Sequence, residues 1–514
     1  MADPLKVPPM LDRVLGILAV SSLVYFFSYP GVDNDLWGHL FFGREILSQG
    51  GLPTTNLYSY TAPGHPWINH EWLAEIVFYG IYRLLGSSGL ILLKVLLGGA
   101  ILWMLSGIVR RRTPHPWLGF LTLIWVMAVL SPGFNIRPQV FTYGLFTAFL
   151  FLFYRWEERP SWCLLYVPVL TVLWVNLHGG VVAGLGALGL FFLVNTLRLN
   201  FEGGGSRVVL MQLVLPSALA LLALLVNPYG VELLEFLWRD LRLDRPISEW
   251  DPVPLWDLSF IEFKLALLVV LVSLRQGAWR RWEVLLTLLA AVLALRHQRH
   301  IPLFAIAAAP LLAEGMERLL HALGGLAREK GWEEWSPAVW RIFSSGILLL
   351  VFLLWAWIGK IHVEHRFRVV VSPLEYPTQA ADFLLRNRIE GNLAVPFDWG
   401  EYFIWKLSPG SRVSIDGRYT TAYPHRVIED SWEWMGGGQK WSRLNERYPT
   451  EIAVTKRSHG VTSLLRHHPE WVYIYSDPIA FIFVRTVPSQ SELLERFREK
   501  KLVPPQQPTV YFPG

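Results

Sequence analysis

The sequence predicts an α-helical polytopic membrane domain of about eleven spans, followed by a soluble α/β domain at the C-terminus. Three observations carry the prediction. Of the 514 residues, 53% are hydrophobic and only 17% charged, against about 25% charged in an ordinary soluble domain. The charge deficit lies in the first 360 residues, where apolar runs long enough to cross a bilayer recur. From about Val369 the pattern turns to short alternating elements. The expected division is therefore 1–360 for the membrane domain, including a large first external loop at about 31–72, and 361–514 for the soluble domain.

A bilayer core about 30 Å thick needs about 20 helical residues per crossing. Such runs are centred on 12–29, 88–109, 116–131, 139–154, 162–176, 180–197, 208–226, 258–274, 283–296, 301–314 and 342–359. The first, from Leu11 to Tyr29, has no convincing small-residue cleavage site and reads as an anchor. Basic residues then orient the set. Lys6 and Arg13, Arg110 to Arg112, Arg155 and Arg159, Arg275, Arg280 and Arg281, and Arg318, Arg328, Lys330 and Arg341 all fall on one side. The positive-inside rule makes that side cytoplasmic and the C-terminal domain extracytoplasmic, as expected in a bacterial inner membrane. A net charge of +5 dispersed through these loops is topology and not a nucleic-acid-binding stripe. Cys163 is the only cysteine, so disulfides do not hold the fold.

In the C-terminal domain LAVPFD, RVSID, EIAVTK, WVYIYSD and IAFIFVR read as strands, with helices in TQAADFLLRNR, EYFIWKL, WSRLNER and GVTSLLRHH. That alternation predicts a mostly parallel sheet whose last two strands form a hairpin around SDP. There is no P-loop and no Gly-x-Gly-x-x-Gly, so a nucleotide site is not expected. Asp416-Gly417-Arg418 at a strand end reads either as a ligand site or as a turn, with Asp capping and Gly supplying a positive φ.

The external span ends collect the residues able to do chemistry. Asp33 and Asp35, just outside the first span, can hold a hard divalent cation such as Mg or Mn, or supply a general base; the plain reading is helix capping. If Asp35 opens a helix, His39 lies one turn on and joins Asp33 and Asp35 as a possible metal ligand. His70 and Glu71 stand at the re-entry of the same loop, either facing a cavity or forming an interfacial polar pair. Arg137, Arg296 and Arg299, with His297 and His300, form a basic set, and Arg296 and His300 are one helical turn apart. Guanidinium groups at that depth suit a lipid-linked phosphate; the alternative is snorkelling to headgroups. His178 in WVNLHGG is ligand, proton carrier or packed polar cap. Glu249 in ISEWDP is a further carboxylate that would complete a site with Asp35.

The long stretch from DNDLWGHLFFGREILSQGG to NHEWLAE, with RPQVFTY, WVNLHGG, LVNPYG, ISEW, RHQRHIPLF, FDWGEYFIWKL and IDGR, resembles a group of bacterial membrane proteins related to GT-C glycosyltransferases. The resemblance runs over nearly the whole chain. It implies acidic residues in the first external loop, an external C-terminal domain and a sugar donor on a polyprenyl phosphate or pyrophosphate carrier. On that likeness Asp33 and Asp35 match the loop acids, and Arg137, Arg296 and Arg299 are candidates to hold the lipid phosphate. The sequence departs from the pattern at Gly38, where relatives usually carry an aromatic, and at Asn56, where aspartate is common. The Trp-Trp-Asp signature of oligosaccharyltransferases is missing, so protein N-glycosylation is not expected.

The expected function is sugar transfer from a polyprenyl-phosphate-linked donor to an extracytoplasmic glycan, lipid or protein acceptor. The competing reading is a non-catalytic scaffold of the same fold, working with other membrane subunits. A transporter fits less well, because the spans lack a midplane line of charge and show no inverted repeat.

Overall fold

The computed structural model describes residues 9–201, 207–240, 248–274, 281–329, 337–506 and 509–514. Lys6, Ile247, Arg275, Arg280 and Lys330, used above, lie outside the described residues. The helices run α1 (Pro9–Phe27), α2 (Leu36–Gln49), α3 (Trp72–Val109), α4 (Pro116–Leu130), α5 (Gln139–Glu158), α6 (Tyr166–Leu177) and α7 (Val181–Phe201). They continue through α8 (Arg207–Ala223), α9 (Val231–Asp240), α10 (Ile261–Ser273), α11 (Trp282–Arg296), α12 (Ile301–Glu329) and α13 (Pro337–His365). Every apolar run named from the sequence is helical. By length and composition, five helical stretches among the described residues are long and apolar enough to cross a membrane alone, including α1, α7 and Arg341–His365. The chain is a polytopic helical membrane protein with a C-terminal α/β domain.

Two compact units divide it: Met1–Tyr29 with Ile91–Phe367, and Pro30–Leu90 with Arg368–Gly514. In the first, α12 is the hub on which α4, α10 and α11 pack, while α1 packs on α4 and α13. Phe153, Phe191 and Trp282 interlock as a buried aromatic cluster. Arg112 and Arg281, which the sequence offers only as topological charges, are built into the packing. Both contact Glu283 (2.9 and 2.7 Å) and Glu314 (3.2 and 2.6 Å). Glu283 is buried, and pairing with two guanidinium groups is what makes burial of a carboxylate tolerable.

The second unit is drawn from two separate parts of the chain. The first external loop is not an appendage of the spans but shares a compact unit with the C-terminal residues. The cause is backbone pairing: Tyr60 N–H donates to Val413 O (3.2 Å) and Val413 N–H to Tyr58 O (3.1 Å). At Gly86 in α3, φ is 64° and ψ −162°, a break that only glycine makes cheaply.

The remaining elements are α14 (Thr378–Arg386), β1 (Gly391–Ala394), α15 (Gly400–Leu407), β2 (Ser411–Val413), α16 (His425–Gly436), α17 (Arg443–Arg447), β3 (Ile452–Lys456), α18 (Gly460–His467), β4 (Trp471–Ser476), β5 (Ala480–Arg485) and α19 (Ser491–Arg498). The sheet order is β2-β1-β3-β5-β4. Pairs β1–β2 and β1–β3 are parallel, whereas β3–β5 and β4–β5 are antiparallel. The sheet is thus mixed and not mostly parallel: the foreseen hairpin inserts β5 beside β3, reversing the direction of that half. Trp434 and Met435 of α16, a helix the sequence reading passed over, close the core against Ala453, Leu465, Phe481 and Phe483.

Candidate functional site

Three of the quoted stretches converge in the second unit. DNDLWG brings Asp33, Asp35 and Gly38; FDWGEYF brings Glu401; IDGR brings Asp416, Gly417 and Arg418. Asp35 stands at the N-cap of α2, and His39 N–H donates to its carbonyl at 3.0 Å, so Asp35 does open a helix. Its side chain makes no capping bond. Asp33 takes the local structural role, its Oδ1 accepting from Asp35 N–H at 3.1 Å. Local backbone support therefore accounts for Asp33, while helix capping does not account for the side chain of Asp35.

Gly38 and Gly417 are what allow the approach of a third acid. A Cβ on Gly38 would lie 2.1 Å from Glu401 Oε2; one on Gly417 would lie 2.8 Å from Glu401 Oε1 and 2.7 Å from Asp35 Oδ1. Gly417 is needed for this space and not for a positive φ, whereas Asp416 does cap the turn, its Oδ1 accepting from Arg418 N–H at 3.1 Å. Glu401 is only 5% exposed, and Oε2 has no hydrogen-bond partner. Burial first, then the charges of Asp35 and Asp416, raise its carboxyl well above the usual range, with Arg418 opposing. Sequence reading missed Glu401, which sits among the apolar residues of α15; its place in a quoted motif was the available signal.

Asp416-Gly417-Arg418 resolves as an internal ion pair. Arg418 Nε donates to Asp416 Oδ1 at 2.8 Å and Nη2 to Oδ2 at 2.7 Å, and Tyr423 OH also donates to Oδ2. The guanidinium lies over the rings of Trp67, Phe42 and Tyr58 at 4.7, 4.9 and 5.4 Å. Asn56 accepts from Arg418 Nη2 (3.0 Å) and donates to Ala422 O (3.1 Å). An aspartate there could accept but not donate, which gives the amide its reason.

His39 does not join Asp33 and Asp35. It is buried with Nδ1 3.8 Å from Glu75 Oε1, and Asn69 holds the other Glu75 oxygen at 2.6 Å. Burial opposes charge on His39, but Glu75, Glu71 and Asp35 outweigh it and raise its pKa. Among the described residues no group of three or more His, Cys, Asp or Glu could hold a metal ion. Asp33, Asp35 and His39 do not form such a group, and no step below runs through a cation. His70 and Glu71 contact each other, Nε2 to Oε1 at 3.7 Å, as a half-buried polar pair. A cleft of about 600 Å³ in the same unit is lined by Asn34, Glu375, Tyr376, Asp398, Lys456 and neighbouring residues. Asn34 is the residue between the two loop acids.

The basic set belongs to the first unit. Arg137 Nη1 donates to Glu249 Oε1 at 2.7 Å, so Glu249, expected to complete a site with Asp35, forms an ion pair within its own unit. Arg299 lies 4.4 Å over the Trp250 ring, and His297 Nδ1 is 2.6 Å from Trp250 O. Arg296 is exposed in the last turn of α11. The helix ends there, His297 being extended (φ −144°), so Arg296 and His300 do not share a helix face as their spacing suggested. Burial, with Arg299 and His297, pushes His300 down to about 4. It is neutral near pH 7 and offers hydrogen bonds, not charge. His178 Nδ1 accepts from Gly180 N–H (2.9 Å) and lies 2.8 Å from Thr142 Oγ1, which itself accepts from Trp174 Nε1 (2.9 Å). Of the three readings of His178, the packed polar cap accounts for Nδ1.

No family model matches the chain, and no curated protein matches it. Solved structures do. The archaeal oligosaccharyltransferase AglB from Archaeoglobus fulgidus, in complex with an inhibitory peptide and a dolichol-phosphate, aligns with 10% identity and a TM-score of 0.54 over 91% of this chain and 74% of that one. ArnT from Cupriavidus metallidurans in the apo state aligns with 13% identity and a TM-score of 0.51 over 93% and 98%. At such identities the likeness is one of fold, and it is the GT-C fold that the loop motifs resemble.

Proposed function

We propose that this chain is a membrane glycosyltransferase that moves a sugar from a polyprenyl-phosphate-linked donor to an extracytoplasmic acceptor. The observation that carries the reading is the GT-C-like fold, together with Asp35, a carboxylate of the first external loop at the N-cap of α2, where the resemblance expects an acid. AglB, of similar fold, is solved with a dolichol-phosphate.

In the proposed reaction Asp35 takes the proton of an acceptor hydroxyl. The acceptor oxygen forms a bond to the anomeric carbon as the bond from that carbon to the phosphate oxygen breaks. The polyprenyl phosphate leaves with the electron pair. Separately, within the first unit, Arg137 and Arg299 are proposed to bind a lipid-linked phosphate; exposed Arg296 is a weaker candidate. The cleft reaching Asn34 is the proposed entry for the acceptor. The reading carries the orientation expected from the basic loops, with the second unit extracytoplasmic.

The test is sugar transfer from radiolabelled polyprenyl-phosphate sugars by purified protein, wild type against Asp35→Asn. Loss of about 10²–10⁴-fold in rate with the fold intact supports a general base at Asp35. Equal transfer removes Asp35 from the mechanism. No transfer from a broad donor panel, with no lipid-phosphate binding, favours the non-catalytic scaffold.

A further inference from the structure

Asp35 and Glu401 present a proton-accounting problem whose solution points to a positioning residue. Asp35 Oδ1 and Glu401 Oε1 both lie within 2.8 Å of the single point that a Gly417 Cβ would occupy. Asp416 and Glu75 add negative charge around Glu401, and the cation among these charges, Arg418, already donates twice to Asp416. Carboxyl groups crowded into so small a volume do not all ionise. Of the two, Asp35 is half-buried at the start of α2, where the helix dipole favours a negative charge. Glu401 is nearly sealed, with an unpartnered oxygen that no donor compensates. An ionised carboxylate in that setting is costly; a neutral acid much less so.

We propose that the Asp35–Glu401 pair holds one proton, carried by Glu401, and that this neutral acid orients Asp35 and keeps it ionised. The role of Asp35 as base rests on the function proposed above; the location of the proton does not. Glu401 is thus a positioning residue. Its O–H donates toward the carboxylate of Asp35, which fixes the rotamer of Asp35 and stabilises its charge before the acceptor arrives. Gly38 and Gly417 are the structural condition for it, since a side chain at either position would part the two acids.

Infrared spectra of the purified full-length protein, recorded against pH, locate the proton directly. The wild-type spectrum is expected to contain a carboxylic-acid carbonyl band at pH 7 that disappears in Glu401→Gln. In Asp35→Asn the same band should be lost at lower pH than in the wild type, because the neighbouring negative charge is gone. A wild-type spectrum without the band, a band that survives Glu401→Gln, or a midpoint unmoved in Asp35→Asn overturns the proposal. The Asp35→Asn comparison decides the matter even if Glu401→Gln does not fold. Where transfer activity is present, Glu401→Leu should move the acid limb of the pH–rate profile upward. Glu401→Gln, whose amide can still donate, should restore it. An acid limb identical in all three proteins also overturns the proposal. A protein inactive in every transfer assay leaves the infrared result to stand by itself.

Discussion

The carboxyl group of Glu401 occupies the space that a side chain on Gly38 would fill, its Oε2 lying 2.1 Å from the position of a Cβ there. The two positions are therefore a single choice. A residue larger than glycine on this face of α2 requires something smaller on α15. That exchange gives Gly38 a reason at a position where the resemblance leads one to expect an aromatic.

Gly38→Ala should destabilise the protein by about 1–3 kcal/mol, the usual result of forcing atoms into a filled core. Adding Glu401→Ala should recover most of that loss, because the methyl group then enters the vacated volume. Thermal denaturation of both single variants and the double variant in detergent measures the coupling. Additive losses would show that the two side chains do not compete for one space.

The spans and the acid-bearing loop were legible because their signals are local. Apolar runs of helical length and Asp33-Asn34-Asp35 before an amphipathic stretch need no knowledge of the rest of the chain. Glu401 was not legible by the same means: it lies in GEYFIWKL, far from Asp35 in sequence, and long-range pairings such as those of Tyr58 and Tyr60 with Val413 and of Thr61 with Ser414 O bring the loop and the C-terminal residues together. The mixed sheet was missed for a related reason, since strand order depends on which edge a hairpin joins. His39 shows the limit of spacing arguments. Its position one turn beyond Asp35 was read correctly, but its ring turns to Glu75, a residue of another helix.

Stability should depend on pH through His39. Glu75, Glu71 and Asp35 raise its folded-state pKa above 6.5, so folding favours the protonated form. The resulting stabilisation is complete below the unfolded value near 6.5 and is lost as pH rises through the folded value. The midpoint temperature of wild type should accordingly fall relative to that of His39→Gln as pH increases from 6 through the folded pKa. Parallel curves would mean that His39 gains no proton affinity on folding.

Donor binding should be sensitive to Arg299. Its guanidinium is laid against the Trp250 ring at 4.4 Å, an arrangement that orients the fork. Arg299→Gln removes charge-assisted hydrogen bonds worth about 1.5–3 kcal/mol, which weakens polyprenyl-phosphate binding roughly tenfold or more. Titration of the lipid phosphate into the detergent-solubilised protein reads this directly. Unchanged affinity with Arg299→Gln would return Arg299 to the headgroup-snorkelling reading.

The Asp416–Arg418 pair should behave as structure and not as a binding site. Asp416 is fully buried and Arg418 is 8% exposed, and Asp416 receives two side-chain bonds from Arg418 and one from Tyr423. Replacing Arg418 by methionine keeps the apolar stem among Phe42, Tyr58 and Trp67 but abandons a buried carboxylate, at a cost of about 3–5 kcal/mol. Arg418→Lys should fare little better, since an ammonium cannot reproduce the two parallel bonds or lie flat across the rings. Combining Arg418→Met with Asp416→Asn removes the stranded charge, so the double variant should be more stable than Arg418→Met alone. Denaturation midpoints of the three variants distinguish the cases. A Met variant as stable as wild type would mean that Asp416 finds its compensation elsewhere, and IDGR would again become a candidate for direct contact with a ligand.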